Sequence, residues 1–462
     1  MYQIDFHKPI HVHFIGIGGS SMSGLAELLH TRGFKVSGSD QAESAACLKL
    51  KNLGIPVDYG NRAENISPDI ELVVYTAAVR TDNPEYVAAL EKGIPMMDRA
   101  EFLGQLMKQY KNAISIAGTH GKTTTSSMLS MILLEAGMDP TISLGAVLDA
   151  IESNSRTGHS EHFVVESCEY TNSFLKFFPK HEIILNIEAE HLDFFKDLED
   201  IRHSFRLFME KLSSDSHLVI QGDIDRLDEL TAGLPAQITT YGIASANKNY
   251  DYSAANISYD SNGFGSYDLM RGTACIARIS LGVVGVHNIS NSVAAAAMAD
   301  LLGVPDSAIV TALRHFGGAS RRFEKKGELA GITIIDDYAH HPTEIRATLT
   351  AAKNYPHKHI WCVFQPHTFS RTKALLDDFT EALSIADKIV LADIFASRET
   401  DPGDISSRDI MVRLQKIGKE AYYFPSFDEI ENFLLLNCTN GDLLITMGAG
   451  DIVKVGEALL GE

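Results

Sequence analysis

The chain has 462 residues, 45% hydrophobic and 22% charged, a globular composition long enough for about three domains. Sixty acidic against forty basic residues give a formal net charge of −20, which disfavours nucleic acid or an anionic membrane as a broad-surface partner, so an anionic substrate must be held by local cations and helix N-termini. Five scattered cysteines (Cys47, Cys168, Cys275, Cys362, Cys438) form no C-x-x-C pair, no apolar stretch approaches the roughly 20 residues of a spanning helix, and Met1-Tyr2-Gln3-Ile4-Asp5-Phe6 does not read as a signal peptide; reduced thiols and a cytoplasmic location are expected.

Residues 1 to 108 alternate strand-like and helix-like runs: His11–Ile15, Met22–Arg32, Phe34–Gly38 and Glu71–Tyr75. Such alternation predicts a parallel sheet flanked by helices. The first turn, Gly16-Ile17-Gly18-Gly19-Ser20-Ser21, is close to the dinucleotide fingerprint, with Ser21 where the third glycine belongs. Alone it is a weak signal that a tight strand-to-helix connection also explains. Its functional reading is a diphosphate on the turn and the following helix N-terminus, with Asp40 near a ribose or base.

Residues 109 to 317 open with a buried strand, Ala113–Ala117, the loop Gly118-Thr119-His120-Gly121-Lys122-Thr123-Thr124-Thr125, and a helical run to Gly137. Gly118 and Gly121 let backbone N–H groups turn toward phosphate oxygens, Lys122 neutralises β/γ charge, and the Thr123 hydroxyl is a candidate Mg²⁺ ligand. The full P-loop pattern wants glycine at Ile116, so the loop is a shortened variant, unlike that of a generic GTPase or kinase. The strand Phe163–Val165 runs into Glu166-Ser167-Cys168-Glu169, and Glu182–Leu185 into Asn186-Ile187-Glu188-Ala189-Glu190-His191-Leu192-Asp193. Acids and imidazole past parallel strand ends fall beside the phosphate loop, which makes Thr123, Glu166 and His191 a candidate metal set, with solvated loop carboxylates as the alternative. Tyr250–Asp268 is predicted to form a small antiparallel excursion. Asn288 and Asn291 stand one turn apart on the helix opened by Val286, where Asn288 suits either a helix cap or adenine recognition.

After the linker Phe316-Gly317-Gly318-Ala319-Ser320, residues 318 to 462 read as a third α/β unit with strands at Ile332–Ile335, Ile360–Phe364, Lys388–Ala392 and Leu443–Thr446. Polar motifs follow the strand ends: Asp336-Asp337-Tyr338-Ala339-His340-His341-Pro342, Gln365-Pro366-His367-Thr368-Phe369-Ser370-Arg371 and Gly448-Ala449-Gly450-Asp451. Adjacent histidines diverge and no third ligand has a fitting spacing, so substrate or nucleotide binding is the better reading of His340 than metal.

Taken in order, Gly16-Ile17-Gly18-Gly19, the Gly118–Thr125 loop, Asn186-Ile187-Glu188-Ala189-Glu190-His191, His287-Asn288-Ile289-Ser290-Asn291, Arg321-Arg322-Phe323 and the Asp336–Pro342 block resemble the Mur ligases over essentially the whole chain. The resemblance implies a three-domain α/β architecture: a Rossmann-like N-terminal domain (1–108) for a UDP-sugar, a central P-loop ATPase domain (109–317), and a Rossmann-like C-terminal domain (318–462) for an amino acid. It implies ATP-dependent ligation of L-alanine to the lactyl carboxylate of UDP-N-acetylmuramate through an acyl phosphate, with Mg²⁺, as two ions, replaceable by Mn²⁺. Lys122, Glu166 and His191 take catalytic roles in that reading, and Thr123, Glu166 and His191 hold metal. Gly118, Thr119, His120, Gly121, Lys122, Thr123, Thr124, Asn288, Asn291, Arg322 and Asp337 bind ATP. Gly16, Gly18, Gly19, Ser20, Asp40, Thr76 and Arg99 serve the UDP-sugar, and His340 and Arg371 serve L-alanine. The protein is expected as a monomer or homodimer acting on small molecules, with no nucleic-acid or membrane partner. Ser21, Cys168, Thr368 and Ala339 depart from the residues usual in the family, which has glycine, aspartate, arginine and glycine there. A peptide-recycling ligase shares most of these motifs. An NAD-dependent oxidoreductase leaves the Lys122 loop unexplained, and the retained Lys122, Glu166 and His191 weigh against a non-catalytic nucleotide-binding regulator.

Overall fold

Five short strands, β1 (His11–Ile15), β2 (Lys35–Asp40), β3 (Val57–Tyr59), β4 (Leu72–Tyr75) and β5 (Met96–Asp98), form an all-parallel sheet in the order β3-β2-β1-β4-β5. β1 lies between β2 and β4, so the chain switches direction across the sheet at the turn that begins with Gly16, the place where open α/β sheets bind ligands. The helix Ser20–Thr31 that follows buries Met22, Leu25, Ala26, Leu28 and Leu29, one apolar stripe at helical spacing. The computed structural model describes residues 2–191, 194–245, 248–397 and 399–461. Asp193, the last acid of the second polar run, lies outside the described residues.

A second sheet repeats this logic. β6 (Asn112–Ala117), β7 (Thr141–Leu148), β8 (Ser153–Arg156), β9 (His162–Glu166), β10 (His181–Ile184), β11 (His217–Gln221) and β12 (Gln237–Ile243) run in the order β12-β11-β10-β6-β9-β7-β8. All are parallel except β8, which returns antiparallel on β7. β6 has β9 on one side and β10 on the other, so the loop after β6 sits between the two acidic loops that follow them. The first two sheets belong to one compact unit, Met1–Gly242 with Tyr250–Tyr252 and Ala294–Ala312. One apolar core joins Val12, Phe14 and Phe102 of the first sheet's layer to Phe163, Phe174 and Phe205 of the second's. Two glycines permit the close approach. A Cβ on Gly24 would lie 2.3 Å from Ser155 Oγ, and one on Gly104, in the helix Arg99–Met107, 2.0 Å from the Lys176 carbonyl oxygen.

The second compact unit comprises Ile243–Asn249, Ser253–Val293 and Leu313–Glu462. The excursion expected to end near Asp268 is longer: β13 (Tyr252–Tyr259) is followed by β14 (Phe264–Arg271) and β15 (Ala274–Val284), the last two paired antiparallel. Ile279, Leu281 and Val283 alternate inward on β15, the period of two that continues the hairpin. The third sheet has six strands where four were read: β16 (Glu324–Leu329), β17 (Ile332–Asp337), β18 (Ile360–Phe364), β19 (Lys388–Leu391), β20 (Glu420–Tyr423) and β21 (Leu443–Met447), in the order β16-β17-β21-β18-β19-β20. Only the edge strand β16 is antiparallel. Among the described residues no helix is long and apolar enough to cross a membrane.

Candidate active site

The loop after β6 needs its glycines. Gly118 has φ +144, and a Cβ there would lie 2.9 Å from Leu185 Cβ and 3.1 Å from Asn186 N; Gly121 has φ +84 and caps the helix Lys122–Glu135. Asn186, one residue beyond Leu185, clips the loop in place. Its Oδ1 accepts the His120 N–H at 2.7 Å, its Nδ2 donates to His120 O at 3.0 Å, and its carbonyl accepts the Thr119 N–H. The Thr119 hydroxyl accepts from Glu188 N at 2.9 Å. Thr124 is buried at the start of the helix.

Lys122 Nζ donates to the carbonyls of Gly118 and Thr119 (2.5 and 3.0 Å) and to Glu169 Oε2 at 3.1 Å. Burial works against its charge, but Glu169, with Cys168 and Glu166 beyond, holds the ammonium above the usual lysine range. The Thr123 hydroxyl donates to Glu166 Oε2 at 2.9 Å, and that oxygen also accepts the Gly145 N–H at 2.8 Å. A side chain at 145 would lie 2.7 Å from both Glu166 carboxylate oxygens, so glycine there leaves them room. His191, at φ +55, sets its Nε2 3.7 Å from Glu169 Oε1 and its ring 4.6 Å from that of Tyr170. The structure therefore pairs Lys122 and His191 through Glu169, and Thr123 with Glu166, at the ends of neighbouring strands. Sequence reasoning placed Glu169 in a motif but gave it no role, and it missed Asn186 as the clip. Cys168, between the two acids, is pushed up to about 11 by burial and by Glu169, so it stands as a neutral thiol at pH 7.

At the first turn, Gly16 has φ +80, and a Cβ would sit 2.7 Å from Thr76 Cγ2 at the end of β4. Gly18 donates its N–H to Asp40 Oδ2 at 2.8 Å, and a Cβ on it would meet Cys47 Sγ at 2.6 Å. Asp40 thus fastens the turn while lying beside it. Gly19 precedes the helix as its N-cap in extended backbone, and the Ser20 carbonyl accepts from Asn154 Nδ2 at 3.0 Å. A cleft of about 400 Å³, lined by Ser20, Ser23, Lys49, Gly145, Asn154 and Ser155 among others, lies between this helix and the β7–β8 hairpin. Arg99 donates from Nη1 to Ser21 Oγ at 3.0 Å. Burial lowers its affinity for the proton, and Cys168, Asp98 and Glu166 act in the opposite sense.

In the second unit, Asn288 donates from Nδ2 to Val284 O at 2.8 Å and accepts from Asn291 Nδ2 at 3.2 Å, so the two asparagines brace the helix start together. Burial lowers the neighbouring His287 to about 4. Asp337 accepts from the Phe323 and Ala339 N–H groups, each at 2.8 Å; burial raises it to about 6 against the pull of Arg322. Arg322 lies 3.9 Å from Glu344 Oε1 and 5.1 Å from the Tyr338 ring centre. The paired histidines separate in function. His341 is the N-cap of the helix Pro342–Ala352, in a capping box with Glu344, whereas His340 Nδ1 lies 3.1 Å from Tyr338 O and 3.3 Å from Glu344 Oε2. The His340 ring is 5.7 Å from that of His367, whose Nδ1 is 3.1 Å from Arg371 Nη1. His367 thus joins His340 to Arg371, a link the sequence motif contained without assigning. Thr368 has φ +68, and its N–H donates to Phe395 O.

The chain is similar along its length to known proteins. A model of the Mur ligase family, catalytic domain, matches residues 11–111, the Mur ligase middle domain matches 116–299, and the Mur ligase, glutamate ligase domain, matches 321–450. A UDP-N-acetylmuramate--L-alanine ligase of Lachnoclostridium phytofermentans is 62% identical over 467 residues, covering 100% of both chains. A ligase of the same name from Clostridium botulinum is 50% identical over 97% of each. The solved UDP-N-acetylmuramate-alanine ligase of Thermotoga maritima superposes with a TM-score of 0.80 at 30% identity, over 98% of each chain. A murein peptide ligase of Psychrobacter arcticus shares the fold, with a TM-score of 0.70 at 24% identity over 98% of each.

Proposed function

The chain belongs to the Mur ligase family, and on that premise we propose that it joins L-alanine to the lactyl carboxylate of UDP-N-acetylmuramate, cleaving ATP to ADP and phosphate, in the synthesis of peptidoglycan precursors. The observation that carries this reading is the full-length 62% identity to a ligase of that name. The grouping of Lys122, Thr123, Glu166 and Glu169 at the end of β6 supports the ATP-dependent chemistry.

A carboxylate is a poor acyl donor, so it first attacks the γ-phosphorus of ATP in line and becomes an acyl phosphate. Charge then spreads over the equatorial phosphoryl oxygens, where the Lys122 ammonium and the N–H groups of the Gly118–Thr123 loop offset it. Lys122 is held charged by Glu169 before nucleotide arrives, so no proton has to be acquired on binding. The neutral amine of L-alanine attacks the acyl carbon, and the tetrahedral adduct releases the amine proton to solvent and expels phosphate, leaving the amide. Thr123 and Glu166, with facing oxygens 2.9 Å apart and no side chain at Gly145 to crowd them, fit Mg²⁺ or Mn²⁺, His191 is the residue for a second ion, and bound divalent cations would screen phosphate from carboxylate. His340 and Arg371 are assigned to the L-alanine carboxylate, Asn288 and Asn291 to adenine, and Arg322 and Asp337 to the rest of the nucleotide. Domain limits of 1–108, 109–317 and 318–462 and a cytoplasmic location complete the reading.

The test is phosphate release from ATP and Mg²⁺ with UDP-N-acetylmuramate, comparing L-alanine, a tripeptide and no acceptor. Release that depends on L-alanine is expected; release with the tripeptide alone would transfer the protein to peptide recycling.

A further inference from the structure

Just past Glu169 the chain turns sharply. Thr171 and Asn172 have φ +54 and +58, two consecutive residues other than glycine in the left-handed region, where a side chain crowds its own backbone. The turn is held from outside. The Asn172 N–H donates to Glu169 O at 2.9 Å, the Ser204 hydroxyl of the helix Leu198–Met209 donates to Asn172 Oδ1, and Phe174 is buried against Phe205 and Phe208 of that helix. The Tyr170 carbonyl accepts from the Thr171 and Ser173 hydroxyls at 2.7 and 2.9 Å. This strained turn secures the direction of one side chain. The Tyr170 ring lies 4.6 Å from that of His191, tilted by 34°, and the Phe194 ring stands at 74° to it, 6.2 Å away.

His191 is itself in the left-handed region, at φ +55, and its carbonyl accepts the N–H groups of Phe194 and Phe195, each at 2.9 Å, with Phe195 buried. Its backbone is therefore fixed, but its side chain is 24% exposed, so burial alone does not fix the ring. A neighbouring aromatic face orients an imidazole without spending either ring nitrogen, and here it leaves Nε2 3.7 Å from Glu169 Oε1, the acid that pairs with Lys122. An imidazole nitrogen and a carboxylate are ligand types for a divalent cation, and the affinity of such a site depends on the neighbours that orient its ligands. We propose that Tyr170 is a positioning residue for His191, holding Nε2 in the orientation that receives the cation. The inference rests on the ligase reading above, which assigns His191 to a metal ion.

The experiment titrates the full-length protein with Mn²⁺ in the presence of UDP-N-acetylmuramate and the non-hydrolysable ATP analogue AMP-PNP, and follows bound Mn²⁺ by electron paramagnetic resonance. His191→Ala is expected to abolish one class of bound ion and spare the other. Tyr170→Leu, which keeps bulk without the aromatic face, is expected to weaken that same class about tenfold and to add nothing once His191 is alanine, whereas Tyr170→Phe binds as wild type. Proton NMR without metal reads the geometry directly. The His191 ring signal, identified by its loss in His191→Ala, should lie upfield in wild type and Tyr170→Phe and move downfield in Tyr170→Leu. The same signal position in all three proteins, Mn²⁺ binding unchanged in Tyr170→Leu, equal weakening of both classes, or additive losses in the double variant would overturn the proposal. Retention of both classes in His191→Ala would remove His191 from the metal site and the role of Tyr170 with it. Turnover of the wild-type enzyme with L-alanine is scored separately. A Tyr170-dependent class of Mn²⁺ without ligation would count against the ligase reading and leave Tyr170 and His191 standing.

Discussion

Lys122 holds its ammonium 3.1 Å from Glu169 Oε2, with only 13% and 2% of the two side chains exposed. The cation we assign to the ATP phosphates is thus neutralised from within the fold. Glu169→Ala leaves a buried ammonium with two carbonyl contacts, which should lower the free energy of unfolding by about 3 kcal/mol. ATP would then supply the missing negative charge. Urea unfolding with and without ATP should show a larger ATP-induced shift in the variant than in the wild type, and equal shifts would contradict the pairing.

Gly145→Ala should act on Glu166 and leave the fold alone. The added Cβ would lie 2.7 Å from both carboxylate oxygens, so the acid must swing out of its bonds with Thr123 and the residue 145 N–H. The Mg²⁺ concentration for half-maximal ligation should rise roughly 10- to 100-fold, with the melting temperature nearly unchanged. An unchanged Mg²⁺ requirement would remove Glu166 from the metal site.

Gly104→Ala is the opposite kind of change. In an exposed helix the substitution would stabilise by about 1 kcal/mol. Here the methyl meets the Lys176 carbonyl oxygen at 2.0 Å, a backbone atom that cannot step aside. A net loss of about 2–3 kcal/mol in urea unfolding is expected.

Glu182 offers a pH test. It lies on β10, fully buried, with neither carboxyl oxygen hydrogen-bonded, and burial raises it well above the usual 4.5, with Lys211 opposing. The folded chain keeps a proton there that the unfolded chain releases above about pH 4.5. Stability contributed by this group is therefore highest in acid and falls as pH rises past that point, by at most ~1.4 kcal/mol per pH unit. Glu182→Gln should be more stable than wild type at pH 7 and should lose that part of the slope in urea unfolding measured from pH 4.5 to 7; parallel pH profiles would show that Glu182 ionises in the fold.

The strand, turn and helix around Lys122 were legible because each was written locally, in an apolar run, two obligatory glycines and a helical repeat. The same holds for β1 and the Gly16 turn. β16 was not, since Glu324-Lys325-Lys326-Gly327-Glu328-Leu329 is a polar edge strand that pairs on one side and carries a register shift at Lys325 to Gly327. Glu169 and Asn186 were visible as residues but not as partners. Glu169 meets a lysine 47 positions away and Asn186 a backbone group 66 positions away, separations that only the order of strands around β6 brings to zero. His341 was given no role, because a histidine accepting from a backbone N–H does the work usually left to serine or aspartate.

The glycine contacts at Gly24 and Gly104 carry a consequence for which donors can react. They fit the first two sheets into one packed body, so the stretch from the Gly16 turn to Lys122 is set by side-chain contact and not by a hinge. On the proposed reading, a donor anchored by its diphosphate at the turn has its reactive group measured against a fixed length. A nucleotide sugar whose carboxylate rides on a shorter or longer arm would bind at the turn and still stop short of, or overrun, the phosphorus it has to attack.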